Sequence, residues 1–189
     1  MPVYPYQGRI PRLGRGTFVA PGAVVVGDVT TGEEVSFWFQ TVARGDVNRI
    51  SIGEHTSIQD GTVLHVTHET HPLEVGRRVV VGHSVVLHGC TIGEGSLIGI
   101  GARVLDGAVV EPGSQVAAGA VVVPGSRIRS GYLAMGLPAT EVRRLSDSER
   151  DLIGEICERY RALKETYRAI LESSTPGSDP ARQGSTGDG

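Results

Sequence analysis

From Ile92 onward one aliphatic residue stands at every sixth position: Ile92, Ile98, Val104, Val110, Val116, Val122 and Ile128. Glycine recurs between them in one phase, at Gly95, Gly101, Gly107, Gly113, Gly119 and Gly125. Upstream, Val75, Val81 and Leu87 keep the step, as do Ile52, Ile58 and Leu64, and Phe18 and Val24 fit a less regular start. A helix needs apolar spacing near 3.6 and an amphipathic strand needs 2. A step of six fits neither. It fits a coil of three short strands, each with one inward aliphatic side chain and a tight turn near each glycine, stacked on its neighbours at about 4.8 Å. The predicted fold is all-β with a C-terminal helix: a parallel β-helix of hexapeptide repeats over residues 10–145.

The step breaks twice. Leu64 to Val75 is 11 residues, so about five extra residues within HVTHETHPLE form a protruding loop, and Leu87 to Ile92 is five, one residue short. Both breaks adjoin histidines. After residue 145 the period changes. Ser146 with Glu149 has capping-box spacing, and Ile156, Tyr160, Leu163, Tyr167 and Ile170 recur at steps of three and four. This predicts an amphipathic helix over 146–173 that packs on the β-helix or on a neighbouring chain. Residues 174–189, rich in Gly, Pro and Ser, predict a disordered tail.

Composition narrows the function. With 18 basic and 21 acidic residues and no basic stripe, nucleic acid is not an expected partner. No apolar run approaches the roughly 20 residues that span a bilayer, and the N-terminal stretch lacks the apolar core of a signal peptide. The two cysteines, Cys90 and Cys157, are too few for a disulfide scaffold and read as reduced thiols of a cytoplasmic protein. Glycine, 27 of 189 residues, is about twice its usual frequency, as many tight turns require.

Of six histidines, two are tied together by register. His65 follows inward Leu64 and His88 follows inward Leu87; without the extra loop residues these positions lie three hexads, one full coil, apart. The two imidazoles should stack on one corner, about 4.8 Å apart at the backbone, close enough to share a metal with Zn–N bonds of about 2.0–2.1 Å. His83, two positions after inward Val81, falls on another face of its own chain. It would meet the pair of a neighbour if three prisms pack around a threefold axis. A lone histidine on such a fold is ordinarily a surface residue or a satisfied hydrogen-bonding group. His55, at a turn in GEHTS, and His71, just before Pro72, are read as exposed.

RGDVN at 44–48, IQDGTVLHVTH at 58–68, VGHSVVLHGCTIG at 81–93 and GYLAMGLPA at 131–139 resemble the γ-class carbonic anhydrase family, in particular its shorter bacterial branch, over roughly residues 10–170. The resemblance implies a left-handed coil, a homotrimer, and a metal held by His65, His83 and His88, with two ligands from one chain and one from its neighbour. It implies Zn2+, with Fe2+ and Co2+ as alternatives suited to three imidazoles. The implied reaction is reversible hydration of carbon dioxide to bicarbonate by hydroxide that the metal generates from water at neutral pH. Gln59 matches a residue that orients that water or bicarbonate, Arg44, Asp46 and Asp60 match an interface charge cluster, and Tyr132 matches a tyrosine near the pocket. The sequence departs from the family's founding members in its proton shuttle: Val47 follows the RGD aspartate, the loop is short, and His68 stands where a glutamate is expected. The role then falls to His68, since an imidazole is the side chain suited to carrying protons near neutral pH.

Two other readings follow from the same residues. Hexapeptide acyltransferases, or a thioester hydrolase acting on acyl-CoA, use the same repeat with a single histidine base and do not require a stacked pair plus a third. A catalytically silent metal-binding scaffold trimer would use the histidines for assembly and the C-terminal helix for docking.

Overall fold

The computed structural model describes residues 2–173; the tail expected at 174–189 lies outside them. The chain forms a parallel β-solenoid of about seven turns followed by one helix. Three columns of short strands make a three-sided prism. Face A stacks Val63–His65, Val86–His88, Arg103–Val104 and Val121–Val122. Face B stacks Leu73–Val75, Thr91–Ile92, Val109–Val110 and Arg127–Ile128. Face C stacks Ser57–Ile58, Val80–Val81, Leu97–Ile98, Gln115–Val116 and Tyr132–Gly136. In the earlier coils the longer strand Val42–Ile52 runs round a corner, pairing Ala43 with Leu64 on face A and Ile52 with Val75 on face B.

The interior is what the hexad spacing selects. Ala43, Leu64, Leu87, Val104 and Val122 form one buried column, Ile52, Val75, Ile92, Val110 and Ile128 a second, and Ile58, Val81, Ile98, Val116 and Ala134 a third. Each fully buried Leu, Ile or Val contributes about 1.5–3 kcal/mol relative to exposure. At the turns Gly95, Gly101, Gly107, Gly113, Gly119, Gly125 and Gly131 hold φ between +64° and +74°, a region costly for residues with a Cβ. Buried hydroxyls are satisfied across coils: Thr56 donates to the Gly76 carbonyl at 2.8 Å and Thr62 to that of Gly82 at 2.9 Å.

The helix α1, Asp147–Ser173, begins with the expected capping box: the Glu149 amide donates to Ser146 Oγ at 3.2 Å and the Ser146 amide to Glu149 Oε2 at 2.9 Å. It runs back along face C. Ile153 and Cys157 pack with Val80 and Leu145, while Tyr160 and Tyr167 set their rings edge-on to Trp38, both at 5.3 Å between centroids. The buried stripe differs from the one the apolar spacing predicts. Leu163 and Ile170 are exposed, and Lys164 is fully buried between them. Lys164 fits there because its ammonium donates to Glu34 Oε2 and to the Gly16 carbonyl, each at 2.6 Å, so the buried charge is paired and hydrogen-bonded.

The stack ends in a reversal. Ala139–Arg144 pairs antiparallel with Tyr132–Gly136, and Tyr132 and Ala139 pack against the last core residues.

Candidate metal centre

One corner of the prism departs from the repeat. Between faces A and B the inward positions are nine residues apart from Ala43 to Ile52, eleven from Leu64 to Val75 and five from Leu87 to Ile92; every later coil takes six. The first departure, inside Val42–Ile52, is not evident from the aliphatic spacing, because Ala43 does not register as a core residue beside so many valines. The irregular corner is where side chains with chemistry converge.

His65 and His88 are register partners in adjacent strands. Their rings lie 5.0 Å apart between centroids, with His65 Nδ1 3.0 Å from His88 Nε2. The outer nitrogen of each ring meets a carboxylate: His65 Nε2 lies 3.1 Å from Asp46 Oδ1, and His88 Nδ1 lies 2.6 Å from Asp106 Oδ1. Asp46 also pairs with Arg44, and Asp106 Oδ2 accepts from Thr67 Oγ1 at 2.9 Å. Burial pushes both carboxyls up, but the hydrogen bonds from Arg44 and His65 on Asp46, and from His88 and Thr67 on Asp106, outweigh it and hold both below the ordinary carboxylate range. Both are therefore ionised acceptors at neutral pH. For His65, burial is the main influence and lowers its pKa; the hydrogen bond to Asp46 opposes this and the Arg44 charge adds to it.

The consequence is specific. An ionised carboxylate only accepts, so each ring donates its outer N–H to it. The two facing nitrogens, His65 Nδ1 and His88 Nε2, then both present lone pairs across 3.0 Å. Two lone pairs at that distance repel unless a cation lies between them. Nitrogens at 2.0–2.1 Å from a tetrahedral metal sit about 3.3 Å apart, so the pair fits a metal ion with little movement. Carboxylates on the outer nitrogens are the usual support of metal-binding imidazoles.

His83 stands at the corner between faces C and A. Its Nδ1 lies 2.9 Å from Asp60 Oδ2, the same carboxylate arrangement a third time. Buried Gln59 and His83 line one groove of about 420 Å³ with Ile98, Ile100 and Tyr160. Among the described residues no single-chain group of three or more His, Cys, Asp and Glu is placed to hold a metal.

The residues singled out from the sequence thus fall into two clusters and two outliers. Arg44, Asp46, His65 and His88 share one edge of face A; Gln59, Asp60 and His83 share the other. His68 stands at the loop tip with its side chain 70% exposed. Tyr132 lies three strands beyond Val80–Val81 on face C, on the order of 14 Å along the axis, with its ring between Arg129 and Arg144. His55 and His71, read as exposed, are half-buried: α1 covers the turn of His55, whose carbonyl accepts from Cys157 Sγ at 3.5 Å, and the loop folds His71 back onto the solenoid. Asp106 escapes sequence reading, although it carries a signal: it lies 18 residues, one coil, beyond His88. Both cysteines are free and buried, which raises their thiol pKa values, Cys157 to about 11.

The prism of six-residue steps defines a hexapeptide-repeat protein, and comparison with known proteins places it more closely. A scan against family models finds no match. The chain is 44% identical over 169 residues to Protein YrdA of Escherichia coli, covering 86% of this chain and 92% of that protein. It is 42% identical to the carbonic anhydrase of Geobacillus kaustophilus, covering 94% and 97%, and 43% identical to gamma carbonic anhydrase 1 of Arabidopsis thaliana mitochondria, covering 85% and 60%. A hexapeptide transferase family protein from Anaplasma phagocytophilum superposes with a TM-score of 0.83 at 39% identity, covering 87% and 97%. The chain belongs to the γ-class carbonic anhydrase family. No helix among the described residues is long and apolar enough to cross a membrane.

Proposed function

We propose that the protein is a metal-dependent carbonic anhydrase-like enzyme that reversibly hydrates carbon dioxide to bicarbonate at sites shared between the chains of a homotrimer. One observation carries the reading: three histidines, each with one ring nitrogen against an aspartate, lie on the two edges of a single face, two on one edge and one on the other. His83 and His88 belong to the same coil. A symmetry axis parallel to the prism keeps that level, so rotation brings one chain's His83 edge to its neighbour's paired edge. The outward side chains of face A favour such contact. At the level of the histidines Val42, Val63 and Val86 make an apolar row, continued by Arg103 and Val121, whereas α1 packs on the earlier strands of face C and the outward row of face B runs Glu74, Thr91, Val109 and Arg127.

His65, His88 and the neighbour's equivalent of His83 would hold zinc, or iron or cobalt, as neutral imidazoles. Such an ion, when bound, supplies Lewis acidity that makes water a nucleophile near neutral pH. The chain supplies the rest. Asp46, Asp60 and Asp106 keep the imidazole protons on the outer nitrogens, Arg44 holds Asp46 in place, and the Gln59 amide offers both a donor and an acceptor beside His83 for orienting water or bicarbonate. His68, on the exposed loop tip, can carry protons only through intervening solvent.

The test is metal analysis and stopped-flow carbon dioxide hydration on one anaerobic preparation, with light scattering of the same sample. A mass near three chains of 19.9 kDa, with one metal per chain, is expected; a monomer removes the shared site. A twofold arrangement would also join the two edges, and a mass of two chains would establish it. His83→Ala and His88→Ala chains should each lose metal alone, and randomly mixed they should regain about a quarter of the sites, since each shared site then needs one chain of each kind. No recovery contradicts sharing. The groove beside His83 and the transferase name of the Anaplasma relative favour a second reading, an acyl-CoA-using transferase or thioester hydrolase; thioester turnover that survives metal removal would establish it. Tight metal binding without turnover of either substrate would leave the scaffold role. A cytoplasmic location accords with buried, unpaired cysteines and is part of the same proposal.

A further inference from the structure

The loop inserted between Leu64 and Leu73 does not project freely. Thr67 and His71 close it through backbone hydrogen bonds of 3.0 and 3.4 Å, and Asn48 Nδ2 donates to the Thr67 carbonyl at 3.0 Å. So closed, it lies along the corner across the following coils. A Cβ added at Gly89 would stand 2.4 Å from Asp106 Oδ1 and 2.7 Å from His71 Cβ, and one added at Gly107 would stand 3.2 Å from His71 Nε2. The two glycines, at φ +52° and +66°, therefore leave the slot that Asp106 and His71 occupy. Within it Thr67 Oγ1 donates to one carboxylate oxygen of Asp106 and His88 Nδ1 meets the other, linking residues 39 and 18 positions apart.

We infer that this loop is a tautomer clamp: Thr67 orients Asp106, and Asp106 fixes the proton of His88 on Nδ1 so that Nε2 faces His65 as a bare ligand. The opposite tautomer would set the Nδ1 lone pair against a carboxylate 2.6 Å away and a hydrogen on Nε2 between the two rings. Asp106 is thus a positioning residue acting through His88. The inserted segment serves to seat it, a role different from proton transfer by His68. The part of the inference that concerns metal affinity rests on the shared-site reading; the part that concerns the tautomer does not.

The experiment uses the full chain labelled with 15N-histidine, metal-free, at alkaline pH where imidazoles are neutral. In the native chain His88 should carry its proton on Nδ1. Asp106→Asn replaces a pure acceptor with an amide that can donate to Nδ1, so the proton should move to Nε2, and zinc affinity in chelator competition should fall about 10–100-fold. Thr67→Val, on the loop, should give a mixture of tautomers and a smaller loss, and it keeps the test open if the Asp106 variant does not fold. His68→Ala should alter neither measurement. A proton that stays on Nδ1 in both variants overturns the inference. A tautomer that shifts while even the native chain fails to bind zinc upholds the clamp and rejects the metal reading instead.

Discussion

The coils from Thr91 to Ile128 and the corner that joins Asp46, His65, His88 and Asp106 belong to one stack of strands, yet they obey different constraints. In the regular coils each hexad repeats its neighbour, and the backbone of one coil leaves no room for a side chain on the next: a Cβ at Gly93 would stand 2.4 Å from the Pro112 nitrogen. At the corner the spacing runs nine, eleven and five, and the side chains it admits are ionisable. A strict repeat gives every coil the same residue, so it cannot set two imidazoles between two carboxylates on successive coils. The site therefore lies where the repeat is interrupted, and the regular stack below fixes the register that brings the interruptions together.

The largest test of this contrast falls on the regular part. Gly93→Ala should lower unfolding free energy by about 3 kcal/mol, since backbone must move. Gly95→Ala, which meets nothing within 4 Å but keeps φ at +64°, should cost about 1–2 kcal/mol. Equal costs in denaturant unfolding would show that the coils are not held at that spacing. The next test is acid. Asp46 and Asp106 titrate lower folded than unfolded, so the stability they supply is complete above the ordinary carboxylate range, about 4, and is lost as pH falls through the lowered folded values. The loss should be on the order of 1 kcal/mol, seen as faster amide exchange around Thr67 and His88 before exchange rises at Val109–Ile128. Glu111 titrates low too, but its pairing with Arg127 is exposed and screened. Simultaneous loss across all coils would erase the distinction between the regions. The smallest effect is expected at the loop tip: His68→Ala should change stability by less than about 0.5 kcal/mol and leave metal content intact.

Much of the scaffold was legible in the sequence, because a strict period exposes both the core columns and the turn glycines. The stacking of His65 on His88 and the separation of His83 followed from counting alone. What escaped counting depends on contacts between coils. Asp106 does not stand out in the hexad pattern; its place is defined by a threonine from the inserted loop and the His88 ring on its two oxygens. The buried face of α1 departs from its apolar spacing because it includes a lysine, a residue rarely buried, and the Glu34 carboxylate and Gly16 carbonyl explain why this one is. The half-burial of His55 and His71 is not legible in the sequence, because neither the helix nor the folded-back loop above them leaves a mark in the hexad pattern.

The antiparallel turn-back at Tyr132–Arg144 has a consequence for the molecule's behaviour in crowded solution. A stack of parallel ladders is, at its last coil, a ready template on which another molecule's first coil could continue, giving filaments. Reversing the chain there presents, on face C, a strand of the wrong polarity to such an addition. Growth along the prism axis is thereby discouraged, leaving association to the sides of the prism.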